Sequence, residues 1–314
     1  MKYTNLEFED IPCPMGCRLD DEKVLTGYDR INNLPGEFTV VRCRQCGLMR
    51  TNPRPSPSSI GFYYPDSYGP YQSSEFQKMK SEHNNSKWKF FFRKLLHLEQ
   101  THLPPLKPGK LLEIGCASGA FLYKMADLGW QVNGIEFSRH AARKASLDFP
   151  IFIGRLEDAP DPSELYDLIV GWMVLEHLHD PVFALRKLRQ WTNLNGMLVI
   201  SVPNAGTIEF KLFKRNWYAL QLPNHLFHYT PKTLSQILQK SGWNLKKIIY
   251  HKNAVNLLRS LNYVFIDHGW NRLGGYIYQI SEAKKAKIVY ILLGLLLGVT
   301  QQSGRITIWA QPQR

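Results

Sequence analysis

The 314-residue sequence is poor in several things, and each shortage removes a class of protein. It has no run of about 20 apolar residues, the length a helix needs to cross a bilayer. The longest approach to one is Ile288–Val299. Met1–Asp10 is polar and acidic with no apolar core, so the start of the chain does not read as an export signal. With only five cysteines and no such signal, a disulfide scaffold is disfavoured, which leaves a metal site or isolated thiols. The most local shortage is of negative charge. Residues 203–314 hold 3 Asp/Glu against 15 Lys/Arg, whereas residues 1–100 hold 12 against 14 and residues 101–202 hold 11 against 10. An imbalance confined to one third of the chain points to an anionic partner there: nucleic acid, a diphosphate-bearing small molecule or an anionic membrane surface. A merely solvated basic face is the bland alternative.

The chain is long enough for one large core with a small extra module. The stretch around which it is organised is Lys110–Leu122, KLLEIGCASGAFL. Leu111, Leu112 and Ile114 read as a short buried strand, followed by a turn of small residues and the start of a helix. Small residues let the backbone turn sharply and approach a ligand, and the helix N-terminus offers unpaired N–H groups to it. A second strand, Gln131–Ile135, ends in Glu136, an acid placed to accept hydrogen bonds from both hydroxyls of a ribose. Strands and helices then alternate to Val202, with strands at Ile151–Ile153, Tyr166–Gly171 and Gly196–Val202, the pattern of a parallel sheet covered on both faces. Between the second and third strands, Ser138–Leu147 reads as a helix with Ser138 as N-cap.

The spacing Glu113-x-Gly115-x-Ala117-x-Gly119 departs from the GxGxxG dinucleotide fingerprint. It resembles motif I of the class I S-adenosylmethionine-dependent methyltransferases, with Ala117 in place of the middle glycine. The run Val174-Leu-Glu-His-Leu-x-Asp-Pro181 resembles the motif after the fourth strand of a large bacterial methyltransferase family. The resemblance implies methyl transfer from S-adenosylmethionine. Glu113, Gly115, Cys116, Ala117, Gly119 and Phe121 would surround the cofactor's turn, Glu136 and Phe137 its ribose, Leu156 and either Glu157 or Asp158 its adenine, and Trp172 and Met173 its methionine end. Arg155 stands where relatives often carry the adenine-side acid.

Ahead of this domain, Cys13-x-x-x-Cys17 and Cys43-x-x-Cys46 have the spacing of a four-cysteine structural zinc site built from two knuckles. Zinc would fold a module too small for its own core. The segment Phe62–Tyr71, rich in tyrosine and proline, reads as an extended connector that either closes over the site or packs onto the domain. Residues 75–100 read as a basic helix whose apolar stripe docks on the core, with membrane contact as the alternative. Behind the domain, Asn224-His-Leu-Phe-His-Tyr-Thr230 precedes a helix, Pro231–Ser241, capped by Thr230. A similar stretch borders the active site in zinc-carrying sugar methyltransferases, and on that resemblance His225 is the first candidate general base, with His228 and Tyr229 behind it. Each of these residues has an alternative role in helix capping or in holding the connector. His177 is the rival base, more readily assigned to orienting its loop.

Trp243–His251 and Arg305–Gln311 would form an antiparallel hairpin at the sheet edge, separated by an insert whose apolar run follows Lys284–Lys287. That run reads as a buried helix, an interface in a homo-oligomer, or a helix lying on an anionic membrane beside its lysines. The expected fold is therefore α/β: a doubly wound, Rossmann-like, seven-stranded methyltransferase sheet with a small N-terminal zinc-binding module and a helical insertion between the last two strands. The expected divisions are 1–60 (zinc module), 61–105 (connector and basic helix), 106–250 (cofactor-binding domain), 251–303 (insertion) and 304–314 (last strand). The expected substrate is a nucleotide-linked or lipid-linked sugar of surface polysaccharide biosynthesis, O- or C-methylated in the cytoplasm or at the inner membrane face. Nucleic acid is disfavoured because no basic-aromatic RNA module is evident. RNA methylation and a degenerate cofactor-binding scaffold are the alternatives.

Overall fold

The structure, a computed structural model, describes residues 6–65, 102–252, 254–282 and 287–314. The apolar stripe at 75–100, the later connector tyrosines Tyr68 and Tyr71, and most of the lysine run before the last helix lie outside the described residues.

Seven strands form the main sheet: β6 (Lys110–Ile114), β7 (Gln131–Glu136), β8 (Ile151–Ile153), β9 (Tyr166–Trp172), β10 (Thr192–Pro203), β12 (Trp243–Tyr250) and β13 (Arg305–Pro312). Their order is β12-β13-β10-β9-β6-β7-β8. The inner strands are parallel, and β13 runs antiparallel to both β10 and β12. The hairpin read from the sequence at the sheet edge is thus present. Strands β9 and β10 carry nearly unbroken apolar runs because helices cover both faces. Helix α1 (Ala120–Asp127) follows β6, and α4 (Pro181–Gln190) follows β9 with Asp180 accepting from Phe183 N at 2.9 Å and Pro181 at its first position. The helix expected over 138–147 is two short ones, α2 (Arg139–Ala142) and α3 (Ala145–Asp148), and Ser138 caps the first.

The N-terminal residues form a second sheet from β2 (Asp21–Tyr28), β3 (Glu37–Cys43) and β4 (Met49–Thr51), beside the small pair β1 (Phe8–Glu9) and β5 (Arg54–Pro55). Its fourth strand comes from far along the chain. β11 (Phe227–His228) pairs antiparallel with β4, Phe227 opposite Arg50 and His228 opposite Met49. Arg50, with its side chain 0% exposed, makes a two-pronged ion pair to Asp21 and donates to Ile11 O, which ties the first knuckle to this sheet.

After α5 (Ile208–Phe213), α6 (Pro231–Lys240) begins at the Thr230 cap, where Thr230 and Thr233 exchange side-chain and backbone bonds. The insertion is helical: α7 (Val255–Asp267), α8 (Asn271–Glu282) and α9 (Lys287–Val299). Arg30 of the N-terminal module pairs with Asp267 at 2.6 Å and lies over the Tyr263 ring, fastening α7. In α9, Leu292, Leu296 and Val299 are exposed while Gly298 lies against the backbone of Tyr250 and His251. No described helix is long and apolar enough to cross a membrane.

Candidate active site

A cavity of about 350 Å³ opens at the carboxyl ends of β6, β7 and β9. Its floor is the turn after β6. Gly115 has φ +68°, and a Cβ there would lie 2.5 Å from Val174 Cγ2, so only glycine fits. Ala117 is also left-handed, at φ +44°, and its N–H donates to Glu136 Oε2 at 2.9 Å. That bond holds a conformation alanine ordinarily avoids. Glu136 Oε1 accepts from Ser138 N at 2.8 Å. Burial raises the Glu136 carboxyl above its usual range, although backbone N–H groups of Ser138, Ala117 and Phe137 draw it back.

Gly115, Ala117, Glu136, Phe137, Leu156, Glu157, Trp172 and Met173 all line this cavity, as do His177 and His225. Arg155 is there too, 3.5 Å from Glu157. Asp158 is not among the lining residues. Glu113, Cys116, Gly119 and Phe121 lie behind the floor. Glu113 is 4% exposed, and burial, then the charge of Glu136, pushes its carboxyl well up. Cys116 packs toward Gly134, and burial raises its thiol. Phe121 meets Trp172 edge-on at 5.4 Å, and Gly119 begins α1 at φ +78°.

The opposite wall comes from three segments. His225 Nδ1 lies 2.9 Å from Ala219 O; a carbonyl can only accept, so the hydrogen is on Nδ1 and Nε2 carries the lone pair. His177 Nδ1 lies 2.8 Å from Asn224 O, which can only accept and so places the hydrogen on Nδ1, and the Tyr64 hydroxyl oxygen lies 2.8 Å from the same nitrogen as a second acceptor. The two rings meet edge-on at 4.7 Å. Burial holds His225 well below the ordinary histidine range, with His177 and His228 adding to it, and brings His177 down to about 4. His228 and Tyr229 are fully buried away from the cavity. His228 Nε2 is 3.3 Å from Thr51 Oγ1 and burial lowers it to about 3; Tyr229 Oη donates to Leu175 O, and burial pushes its phenol well up.

Sequence reasoning missed Tyr64 as a partner of His177, and it missed Gln221 and His179, which also line the cavity. Gln221 gives no signal, since one glutamine in a loop is indistinguishable from many. It also passed over Glu176 inside a quoted motif: that side chain is 0% exposed, neither carboxylate oxygen has a hydrogen-bond partner among the described residues, and burial pushes it up to about 8.

At the N-terminal sheet the four cysteine sulfurs lie within 4.8 Å of one another, with Cys13 Sγ 3.5 Å from Cys46 Sγ. A tetrahedron with Zn–S of about 2.3 Å separates its sulfurs by about 3.8 Å, so the residues present fit zinc. Gly16 and Gly47, at φ +73° and +81°, close the two knuckles by donating to Cys13 O and Cys43 O. Burial raises Cys43, but the N–H groups of Cys46 and Gln45, with the Cys46 and Cys17 side chains, together leave the thiol below its ordinary value.

Residues 85–248, more than half of the chain, match the family described as "Methyltransferase domain". The chain belongs to this family. It is 27% identical over 117 residues to a ubiquinone biosynthesis O-methyltransferase of Azorhizobium caulinodans, a match covering 35% of this chain and 46% of that protein. It is 28% identical over 198 residues to a tRNA U34 carboxymethyltransferase of Hydrogenovibrio crunogenus, covering 56% of each. The chain thus spans about half the length of these relatives. A methyltransferase structure from Archaeoglobus fulgidus aligns with 72% of this chain and 100% of its own at 17% identity and a TM-score of 0.46.

Proposed function

We propose that the chain methylates a hydroxyl of a sugar, carried on a nucleotide or a lipid, with His225 as the proton acceptor. The observation that carries the reading is the pair of imidazoles across the cavity from the cofactor turn, each with its Nε2 lone pair uncommitted to the backbone. S-adenosylmethionine supplies an electrophilic methyl group when bound. Gly115, Ala117 and Glu136 hold it from one side, while the opposite wall seats the acceptor oxygen. His225 receives the proton as the oxygen attacks, when the hydroxyl becomes acidic, although burial lowers its basicity. Desolvation by Ile60, Tyr64 and Leu178 sharpens each of these polar contacts. In this reading the four cysteines hold zinc as a structural ion. The sugar itself is supported by the resemblance of the His-Leu-x-x-aromatic stretch and by the basic C-terminal third, which suits a diphosphate carrier.

The test is methyl transfer from labelled S-adenosylmethionine to a nucleotide-sugar panel, a lipid-linked oligosaccharide extract, a quinol and total RNA. Label in either sugar pool is expected. Label confined to quinol or RNA would overturn the substrate while keeping the enzyme class. His225→Ala is expected to bind S-adenosylhomocysteine normally and lose at least about 100-fold in transfer. Full turnover by that variant would remove His225 as base.

A further inference from the structure

Glu176, His177 and His225 form an arrangement that proton acceptance by His225 alone leaves unexplained. One ligand atom from each lies within 4.8 Å of the others. Glu176 is fully buried in the turn after β9, and both of its oxygens are without a hydrogen-bond partner among the described residues. The two imidazoles each commit Nδ1–H to a backbone carbonyl, Asn224 O and Ala219 O, and so present Nε2 lone pairs. A carboxyl group and two imidazoles therefore converge, and burial keeps a proton on Glu176 as the single donor hydrogen among them. Once that proton is lost, the set repels itself until something electrophilic occupies its centre. A single shared proton can bridge only two of the three groups; a metal cation meets all of them.

We infer that Glu176, His177 and His225 bind a divalent transition-metal cation of the zinc, cobalt or manganese class, at the wall of the methyl-transfer cavity. Two nitrogen ligands and one carboxylate disfavour magnesium and calcium, which take oxygen ligands. The imidazole orientation, with the second ring nitrogen anchored on a carbonyl, is the one metal-bound histidines require. Further anchoring comes from Leu226 N, which donates to Glu176 O at 2.8 Å, and from Tyr64 on His177. The unpartnered Glu176 side chain can close onto the ion without breaking any bond. His177 and His225 border the cavity whereas Glu176 does not, so open coordination positions face the cavity.

The inference rests on the methyl-transfer reading of this cavity and moves His225 from proton acceptor, its role without an ion, to ligand. With the cation bound, His225 is a ligand and the acceptor hydroxyl oxygen binds the cation, which lowers its pKa. The O–H bond then breaks with its proton leaving to water at the cavity mouth. The oxygen bonds to the methyl carbon, and the S–CH₃ electron pair returns to sulfur as S-adenosylhomocysteine. The cation keeps its oxidation state throughout.

The experiment is a Co²⁺ titration of protein already carrying one zinc per chain on its cysteines, read by visible absorption and equilibrium dialysis alongside transfer rates. The expected result is one further Co²⁺ per chain with ligand-field bands and no thiolate charge-transfer band, and transfer that rises with its uptake. In Glu176→Gln, affinity for that second ion should fall by about 100-fold or more while S-adenosylhomocysteine binding is kept. Wild-type protein that takes up no second ion overturns the inference whatever the variant does, as does equal uptake by a folded Glu176→Gln. Transfer without a second ion faults the cation site and leaves the methyl-transfer reading standing. A second ion with no transfer to any acceptor pool supports the site and faults the substrate reading instead.

Discussion

The Thr51 hydroxyl donates to the carbonyl oxygen of His225 at 2.8 Å, across 174 residues of sequence. A residue beside the cysteine knuckles thereby sets the backbone of the proposed base. Neighbouring bonds do the same: Thr51 N donates to Leu226 O, Asn224 Nδ2 to Tyr63 O and Arg54 Nη1 to His179 O. N-terminal residues Pro57, Ile60 and Tyr64 are thus part of the cavity wall.

Thr51→Val keeps the side-chain volume and removes the hydroxyl, leaving the His225 carbonyl and His228 Nε2 without it. A buried acceptor stripped of its donor costs about 1–3 kcal/mol. Denaturant unfolding should show that loss, and transfer should fall further than S-adenosylhomocysteine affinity. An unchanged transfer rate would show that the wall does not depend on this bond.

Cys46→Ser removes one zinc ligand and should reduce bound zinc below one per chain. Because β3, β4 and β11 share one sheet, transfer should drop at least about 10-fold together with metal content. Metal analysis and transfer assays on the same preparations check the link. Full activity in zinc-depleted protein would separate the module from catalysis.

Glu136→Gln replaces a carboxylate whose two oxygens each accept a backbone N–H, and an amide can satisfy only one of them. Affinity for S-adenosylhomocysteine is expected to fall at least about 10-fold, equal to about 1.4 kcal/mol. Calorimetric titration reads it, and an unaltered affinity would exclude Glu136 from the ribose.

His251 is brought down to about 3 by burial, with Arg305 and the stacked His102 ring, 4.1 Å away, adding to it; its Nε2 meets Thr307 Oγ1 at 2.7 Å. The folded state binds the proton less well than the unfolded state, so this contribution is complete above pH of about 6.5 and is lost as pH falls toward 3. Each unit in that window costs up to about 1.4 kcal/mol. His251→Asn should therefore flatten the acid limb of stability against pH. Parallel wild-type and variant curves would refute the assignment.

The main sheet was legible because its signals are local. Leu111–Ile114, Ile151–Ile153 and Tyr166–Gly171 each declare a strand by their own apolar run, and Thr230 declares a helix start. The floor of the cavity followed, since Gly115, Ala117 and Glu136 belong to one βαβ unit. The opposite wall was not legible, because it is made by pairing residues far apart. β11 has two residues and no strand signature, and only its register with β4 carries His228 and Tyr229 inward while leaving His225 on the cavity. The spacing of four histidines between 177 and 228 cannot say which ring reaches a backbone carbonyl. Glu176 looked like one acid in a motif until its burial without a partner was visible.

The pairing of β4 with β11 also dictates an order of events when the chain is made from its N-terminus. Until Phe227 and His228 emerge, β4 presents an open edge of unpaired N–H and C=O groups, the kind of edge that recruits strands from other chains. The small sheet is complete only after most of the methyltransferase domain has been synthesised, so early misassembly is expected to begin at Met49–Thr51 rather than at the larger sheet.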